Sequence, residues 1–192
     1  MKISKFAQLA MFTMSLTGLI FLTACSDSDD DFNLKSGHFY DSAVKNLKYK
    51  TPSDEGTTDE EGTFWYLEGE KITFSVGNLV IGEATAKESM SPVDLVADAT
   101  YDNYSSSIKV KNIAYFLQRL DKNHKPEDGI EIDAKVHEEL EEDNKSWHMD
   151  MIDEAIKELS DAEAITLNEF VDKDSALKHL TSEIIKKKQD ET

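Results

Sequence analysis

Lys71-Ile72-Thr73-Phe74-Ser75-Val76-Gly77-Asn78-Leu79-Val80-Ile81 decides how the first half of this chain folds. Ile72, Phe74 and Val76 alternate with Lys71, Thr73 and Ser75, the period-two pattern of a strand with one face buried. Gly77-Asn78 then separates that strand from Leu79-Val80-Ile81. A two-residue loop opening on glycine supplies the positive φ of the first turn position, so the stretch predicts a β-hairpin. Working back, Glu68-Gly69-Glu70 is a turn. Before it, Phe64 and Tyr66 share one face of a strand and Trp65 and Leu67 the other. Val44, Leu47 and Tyr49 mark the first strand, with Val44 out of strict alternation, and Thr51-Pro52-Ser53-Asp54-Glu55-Gly56 is a polar turn.

Forward from the hairpin the period changes. Ser91-Pro92-Val93-Asp94-Leu95 reads as a helix start with proline in the first turn. From Ile108 to Leu120, Ile113, Phe116, Leu117 and Leu120 form a helical stripe. A polar loop, Asp121 to Gly129, precedes Ile130 and Ile132. Ala134 to Glu142 carries Val136 and Leu140, and Trp147 to Leu159 carries Met149, Ile152, Ala155, Ile156 and Leu159 on one face. Ser160-Asp161-Ala162-Glu163 and Thr166-Leu167-Asn168-Glu169 have capping-box spacing. Leu167, Phe170, Val171, Leu177, Leu180 and Ile184 continue at helical spacing towards Lys186, Lys187 and Lys188, which suit a helix C-terminus. The fold class expected is therefore α+β: an N-terminal antiparallel, sandwich-like β-sheet packed with C-terminal helices, in one domain over residues 37–190.

The first 24 residues read as an export signal. Lys2 and Lys5 form a basic start, and Phe6 to Leu22 is apolar but broken by Gln8, Thr13, Ser15 and Thr17. A membrane span needs ~20 apolar residues, so this segment fits a secretory signal better. Leu22-Thr23-Ala24-Cys25 resembles the lipobox of bacterial lipoproteins. The resemblance implies diacylation of the Cys25 thiol, cleavage before it and acylation of the new amine. That lipid would tie the protein to a membrane and remove the thiol from chemistry. One cysteine in the whole chain also excludes an internal disulfide. Ser26, in place of the aspartate that retains lipoproteins at the inner membrane, implies the outer membrane. Asp27, Asp29, Asp30 and Asp31 lie in a tether over residues 25–36. The run resembles the acidic tether that sends some lipoproteins to the cell surface, and equally suits a solvated spacer.

Cleavage leaves about 168 of the 192 residues, enough for one domain with a real core. It also takes the formal net charge from −18 to about −20, since Lys2 and Lys5 are lost. Such a surface repels nucleic acid and anionic head groups, so no nucleic-acid partner is expected. The sequence has no Gly-x-Ser-x-Gly elbow and no phosphate-cradling glycine loop. No cofactor is expected, calcium aside. Asp121, Asn123, Glu127 and Asp128 supply the hard oxygens calcium prefers, at a spacing that opens like an EF-hand. The pattern then departs, with Lys125 at the fifth position, Pro126 for the turn glycine and Ile132 for the bidentate glutamate. The alternative is a polar turn capping the preceding helix. Glu138, Glu139, Glu141, Glu142 and Asp143 beside His137 and His148 read as a solvated face, lacking a second carboxylate–histidine pair. His38 and His179 read as packed or exposed rather than catalytic. Phe64, Trp65 and Tyr66 are candidates for a carbohydrate or peptide platform, the alternative being that two of the three are core.

Taken in order, several stretches resemble a module of secreted and lipid-anchored proteins of Gram-negative bacteria. They are Asp41-Ser42-Ala43-Val44 through Leu47-Lys48-Tyr49, Thr58-Asp59 with Gly62-Thr63-Phe64, and Gly69-Glu70 with Phe74-Ser75-Val76-Gly77. Ser91-Pro92-Val93-Asp94-Leu95, Asn112-Ile113-Ala114 and Phe116-Leu117-Gln118-Arg119-Leu120-Asp121 follow, then Gly129-Ile130-Glu131-Ile132 and Ala176-Leu177-Lys178-His179-Leu180. Together they cover most of residues 38–185. The Thr58-to-Phe64 piece also resembles a strand entry in prealbumin-like sandwiches. The resemblance implies a non-enzymatic stalk or adaptor working by binding, with an envelope protein as partner. Some short lipoproteins of this kind carry a label from organic-solvent transport. That implies, as an alternative, an accessory protein for a small apolar ligand or lipid, and a hydrophobic cavity between sheet and helices would favour it. A third expectation, a hydrolase with a divergent site, needs a His–carboxylate pair or two carboxylates in a cleft. The location expected is the outer membrane, on its periplasmic or its surface face.

Overall fold

The computed structural model describes residues 34–142, 147–163, 171–190 and 192. The signal segment, Cys25, most of the acidic tether, Asp143 and the Thr166-to-Glu169 capping box with Leu167 and Phe170 lie outside the described residues.

Strands β1 (Lys35–Phe39), β2 (Val44–Lys45), β3 (Lys48–Lys50), β4 (Glu55–Thr57), β5 (Thr63–Tyr66), β6 (Lys71–Val76), β7 (Leu79–Thr85) and β8 (Ser89–Met90) fill the first half. Helix α1 (Ile108–Arg119), β9 (Ile130–Glu131), α2 (Ala134–Glu142), α3 (Ile152–Asp161) and α4 (Lys173–Asp190) follow. The α+β class expected from the periodicities is the one observed. β6 and β7 form the hairpin, Val76 opposite Leu79 and Gly77 at φ +56°. Ile72, Phe74 and Val76 are fully buried, as their alternation requires. Strand order is β4-β3-β6-β7 in one sheet and β5-β1-β8 in another. The inner faces of the two sheets meet in an aromatic cluster: Phe39 of β1 lies 4.7 Å from Phe74 of β6, and Phe64 of β5 meets Phe74 edge-on at 5.3 Å. Each such fully buried phenylalanine contributes ~2–3 kcal/mol.

Several features depart from expectation. β1 was not foreseen, and it starts at Lys35, ahead of the boundary drawn at 37. Its Lys-Ser-Gly-His has no apolar alternation because Gly37 lies under the Phe64 ring, where a Cβ would approach within 2.4 Å. Two pairings are parallel, β1 with β8 and β2 with β9, because the returning segments arrive after a whole sheet or helix. Ser91-Pro92-Val93-Asp94-Leu95 forms turns rather than a helix. Asp94 Oδ2 accepts from the Ser91 N–H (2.8 Å) and the Tyr101 hydroxyl (2.7 Å), and adjacent Leu95 and Val96 are both buried. Finally, Trp147 to Leu159 is not one helix: a 3₁₀ turn at Met149–Met151 precedes α3. Ser160 sits in the last turn of α3 rather than at a helix start.

Helices α1 and α4 start where hydrogen-bonding side chains take orphan N–H groups. Ser107 accepts from Val110 at the head of α1. Asp172, not singled out in the sequence, accepts from the N–H groups of Asp174 (2.9 Å) and Ser175 (2.7 Å) at the head of α4. α1 buries Val110, Ile113, Ala114, Phe116 and Leu117, and contacts both α4 and α3. Among the described residues no helix is long and apolar enough to cross a membrane.

Candidate functional site

A groove opens where edge strand β7 meets the N-terminal half of α1. Its register with β6 slips by one residue between Phe74–Gly82 and Ser75–Val80, which leaves Ile81 as a bulge. At the next position Gly82 has no side chain, and Leu95 occupies that space; a Cβ there would come within 2.6 Å of Leu95 Cβ. Ile81, Leu95, Val96 and Ile113 form the apolar lining, and Trp147 and Met149 contribute from the segment before α3. The groove encloses about 780 Å³. That lies within the range of small-molecule sites, ~300–1,000 Å³. Val80 is 47 % exposed and Ile108 74 % exposed at this site. Polar groups are few: Asn78, Lys109, Asn112, His148 and Asp150. The Asn112 Oδ1 is buried and has no hydrogen-bond partner among the described residues. This is an apolar trough with a few polar groups in its lining.

The candidate residues of the sequence fall elsewhere. Phe64 and Tyr66 are buried in the sandwich, while Trp65, 45 % exposed, points to the opposite face. The three therefore share no platform, as strand alternation dictates. Trp65 alone is accessible, in a shallow recess with Leu34, His38 and Glu88. In the acidic loop, Asp121 is buried and spends its oxygens on the backbone, Oδ2 accepting from Lys125 N (2.7 Å) and Oδ1 from Glu131 N (3.1 Å). Asn123 Oδ1 also accepts from Lys125 N, at 2.7 Å. Glu127 and Asp128 stand exposed on a 3₁₀ turn begun by Pro126. Among the described residues, no group of three His, Cys, Asp or Glu side chains is placed to hold a metal ion. His137 is internal: Gly77 N–H donates to Nδ1 (2.9 Å), so Nε2 carries the proton and donates to Asn46 O (2.7 Å). Burial lowers its pKa. Glu141 instead pairs with Lys48 across to β3.

A second cluster escaped sequence reading because its members are far apart in the chain. Asp41 and Ser42 turn the chain between β1 and β2, Ser42 at φ +57°. Asp41 is fully buried, and Gln118 Nε2 donates to its Oδ2 (3.0 Å) and to Ala176 O (3.1 Å). Burial pushes the Asp41 carboxyl up to about 8, the Gln118 hydrogen bond opposing and the Glu183 charge adding to it. Ser42 Oγ and His179 Nε2 are hydrogen-bonded at 3.1 Å, and burial lowers His179. A serine–histidine pair beside carboxyls has the elements of an activated nucleophile. But Ser42 is 7 % exposed, and the apolar groove does not reach it. The cluster clamps the β1–β2 turn to α1 and α4.

The groove left a faint trace in the sequence. Leu79-Val80-Ile81 places an apolar residue on the outward face of a strand, and Ile108 lies off the buried stripe of α1. No protein-family model matches this chain, and neither a curated protein nor a solved structure matches it.

Proposed function

We propose that this chain is a lipid-anchored, non-enzymatic binding protein of the Gram-negative cell envelope that holds a small apolar ligand or lipid acyl chain between β7 and α1. The supporting observation is the groove of about 780 Å³, apolar in lining and with Val80 and Ile108 exposed. A structural adaptor would need no such trough. A hydrolase would need a His–carboxylate pair or two carboxylates converging on a bound substrate, and the Ser42–His179 pair beside Asp41, with Ser42 buried, lies away from this groove. The anchor belongs to the same reading, with Cys25 acylated and the domain tethered at the outer membrane.

Titration of the full chain with an environment-sensitive apolar fluorophore, such as N-phenylnaphthylamine, tests it. Wild type is expected to bind at micromolar concentration. Val80→Glu with Ile108→Glu is expected to weaken binding at least about tenfold, since a charge in an apolar site is strongly disfavoured. Both positions are exposed, so the thermal melt should not move. Equal binding by wild type and double variant overturns the ligand reading. The anchor is checked separately: Cys25→Ser should leave the membrane fraction.

A further inference from the structure

A recess of about 220 Å³ lies between the β7–β8 connection and the end of α4, lined by Tyr40, Lys87, Ser89, Tyr101, Lys187 and Lys188. Three lysines gather there in a chain of formal net charge −18. The helix dipole accounts for lysines in the last turn of α4. It does not account for Lys87, which arrives from the far end of the sheet. Lys87 Nζ stands 5.5 Å from the centre of the Tyr101 ring and Lys188 Nζ 5.8 Å from the same centre. Two ammonium groups thus approach one aromatic ring. Asp94 Oδ1 accepts from Lys87 at 2.6 Å, and Asp94 Oδ2 from the Tyr101 hydroxyl, which fixes the first lysine and the ring. Lys188 has no carboxylate partner among the described residues. The Ser89 hydroxyl is buried in the same lining without a hydrogen-bond partner among the described residues. A preset cation, a second cation and an unmet hydroxyl are donors that a compact oxyanion can use.

We propose that this recess binds a phosphate-type oxyanion, free phosphate or the phosphate of a lipid head group, between the ammonium groups of Lys87 and Lys188. Its size admits a phosphate with a few attached atoms. An acyl chain belongs in the larger apolar groove, so this site stands whether or not that groove holds a ligand.

The experiment is a ¹H–¹⁵N NMR titration of the full chain with inorganic phosphate, against sodium chloride at equal ionic strength. Shifts confined to residues around Tyr101 and the end of α4 are expected with phosphate and absent with chloride. Lys188→Gln, at an exposed helix end, should keep the wild-type spectrum and weaken phosphate binding about tenfold. Lys87→Gln with Lys188→Gln should abolish it. Sedimentation of the Cys25→Ser chain, which lacks the lipid anchor, with vesicles of phosphatidylcholine carrying or lacking phosphatidic acid separates the two sources. Retention only with phosphatidic acid, lost in the double variant, assigns the head group, and phosphate shifts without retention assign a free ligand. Chloride shifts equal to phosphate shifts, or phosphate binding unchanged in the double variant, overturn the proposal.

Discussion

Replacement of Asp41 by asparagine should abolish a specific pH dependence of stability. In the folded chain burial holds the Asp41 proton up to about pH 8, whereas in the unfolded chain an aspartate ionises near 3.8. Across the interval between those values the folded state carries one proton more, so stability falls as pH rises. Other groups work elsewhere on the scale. His137 and His179 are lowered by burial, so the stability they contribute is present above about pH 6.5 and is lost as pH falls below it. Glu55, Asp59, Glu60, Glu68, Glu70, Asp133 and Asp172 are held below their ordinary carboxylate values. Their contribution is lost only in acid. Between pH 6.5 and 8 Asp41 therefore acts without opposition from these groups. One proton at ~1.4 kcal/mol per pH unit gives a loss of about 2 kcal/mol over that interval. Urea unfolding followed by tryptophan fluorescence at half-unit pH steps measures it. Asp41→Asn mimics the protonated acid, so its stability should be flat from 6.5 to 8. A flat wild-type profile, or an equal slope in the variant, would refute the assignment of a buried, protonated Asp41.

Two further predictions concern turns. Gly77→Ala should cost about 2–4 kcal/mol: it places a Cβ at φ +56° and 2.6 Å from Leu140 Cβ. Gly69→Ala, at φ +87° with nothing within 4 Å, should cost only the backbone part, about 1–2 kcal/mol; equal losses in chemical denaturation would argue against the close approach of α2 to the hairpin. Asp121→Ala should lower stability by about 1–3 kcal/mol in excess chelator, because Glu131 N–H loses this acceptor and Lys125 N–H keeps only Asn123 Oδ1; a variant as stable as wild type in chelator would contradict that capping role.

How far the sequence was legible follows the range of the interactions. The β6–β7 hairpin could be read because its determinants, alternating apolar residues around Gly77-Asn78, are neighbours in the chain. α1 could be read as well, since the Ile113, Phe116, Leu117 and Leu120 stripe is local. β1 could not, because its reason for existing is the Phe64 ring over Gly37, a contact between strands. Ser91-Pro92 carried a helix-start signal that lost to the tertiary demand of burying Val93, Leu95 and Val96 together. Within the candidate sites, alternation alone separated Trp65 from Phe64 and Tyr66. The acidic loop advertised calcium ligands by composition, yet Asp121 serves the backbone. The groove and the Lys87–Tyr101–Lys188 recess are each made of residues that meet only when the sheet and helices close.

The β1–β2 turn has a consequence for how the chain can fold. The side chains that hold it reach far along the chain: Asp41 meets Gln118 over 77 positions and Ser42 meets His179 over 137. Loop closure over such separations precedes any return from the contacts, which slows folding. The hairpin and α1 can form early from local contacts, but the first turn of the domain waits for its last helix. A polypeptide delivered N-terminus first, as an exported one is, would carry this turn open until α4 emerged. Truncation within α4 would then release the opposite end of the domain, at the turn next to β1.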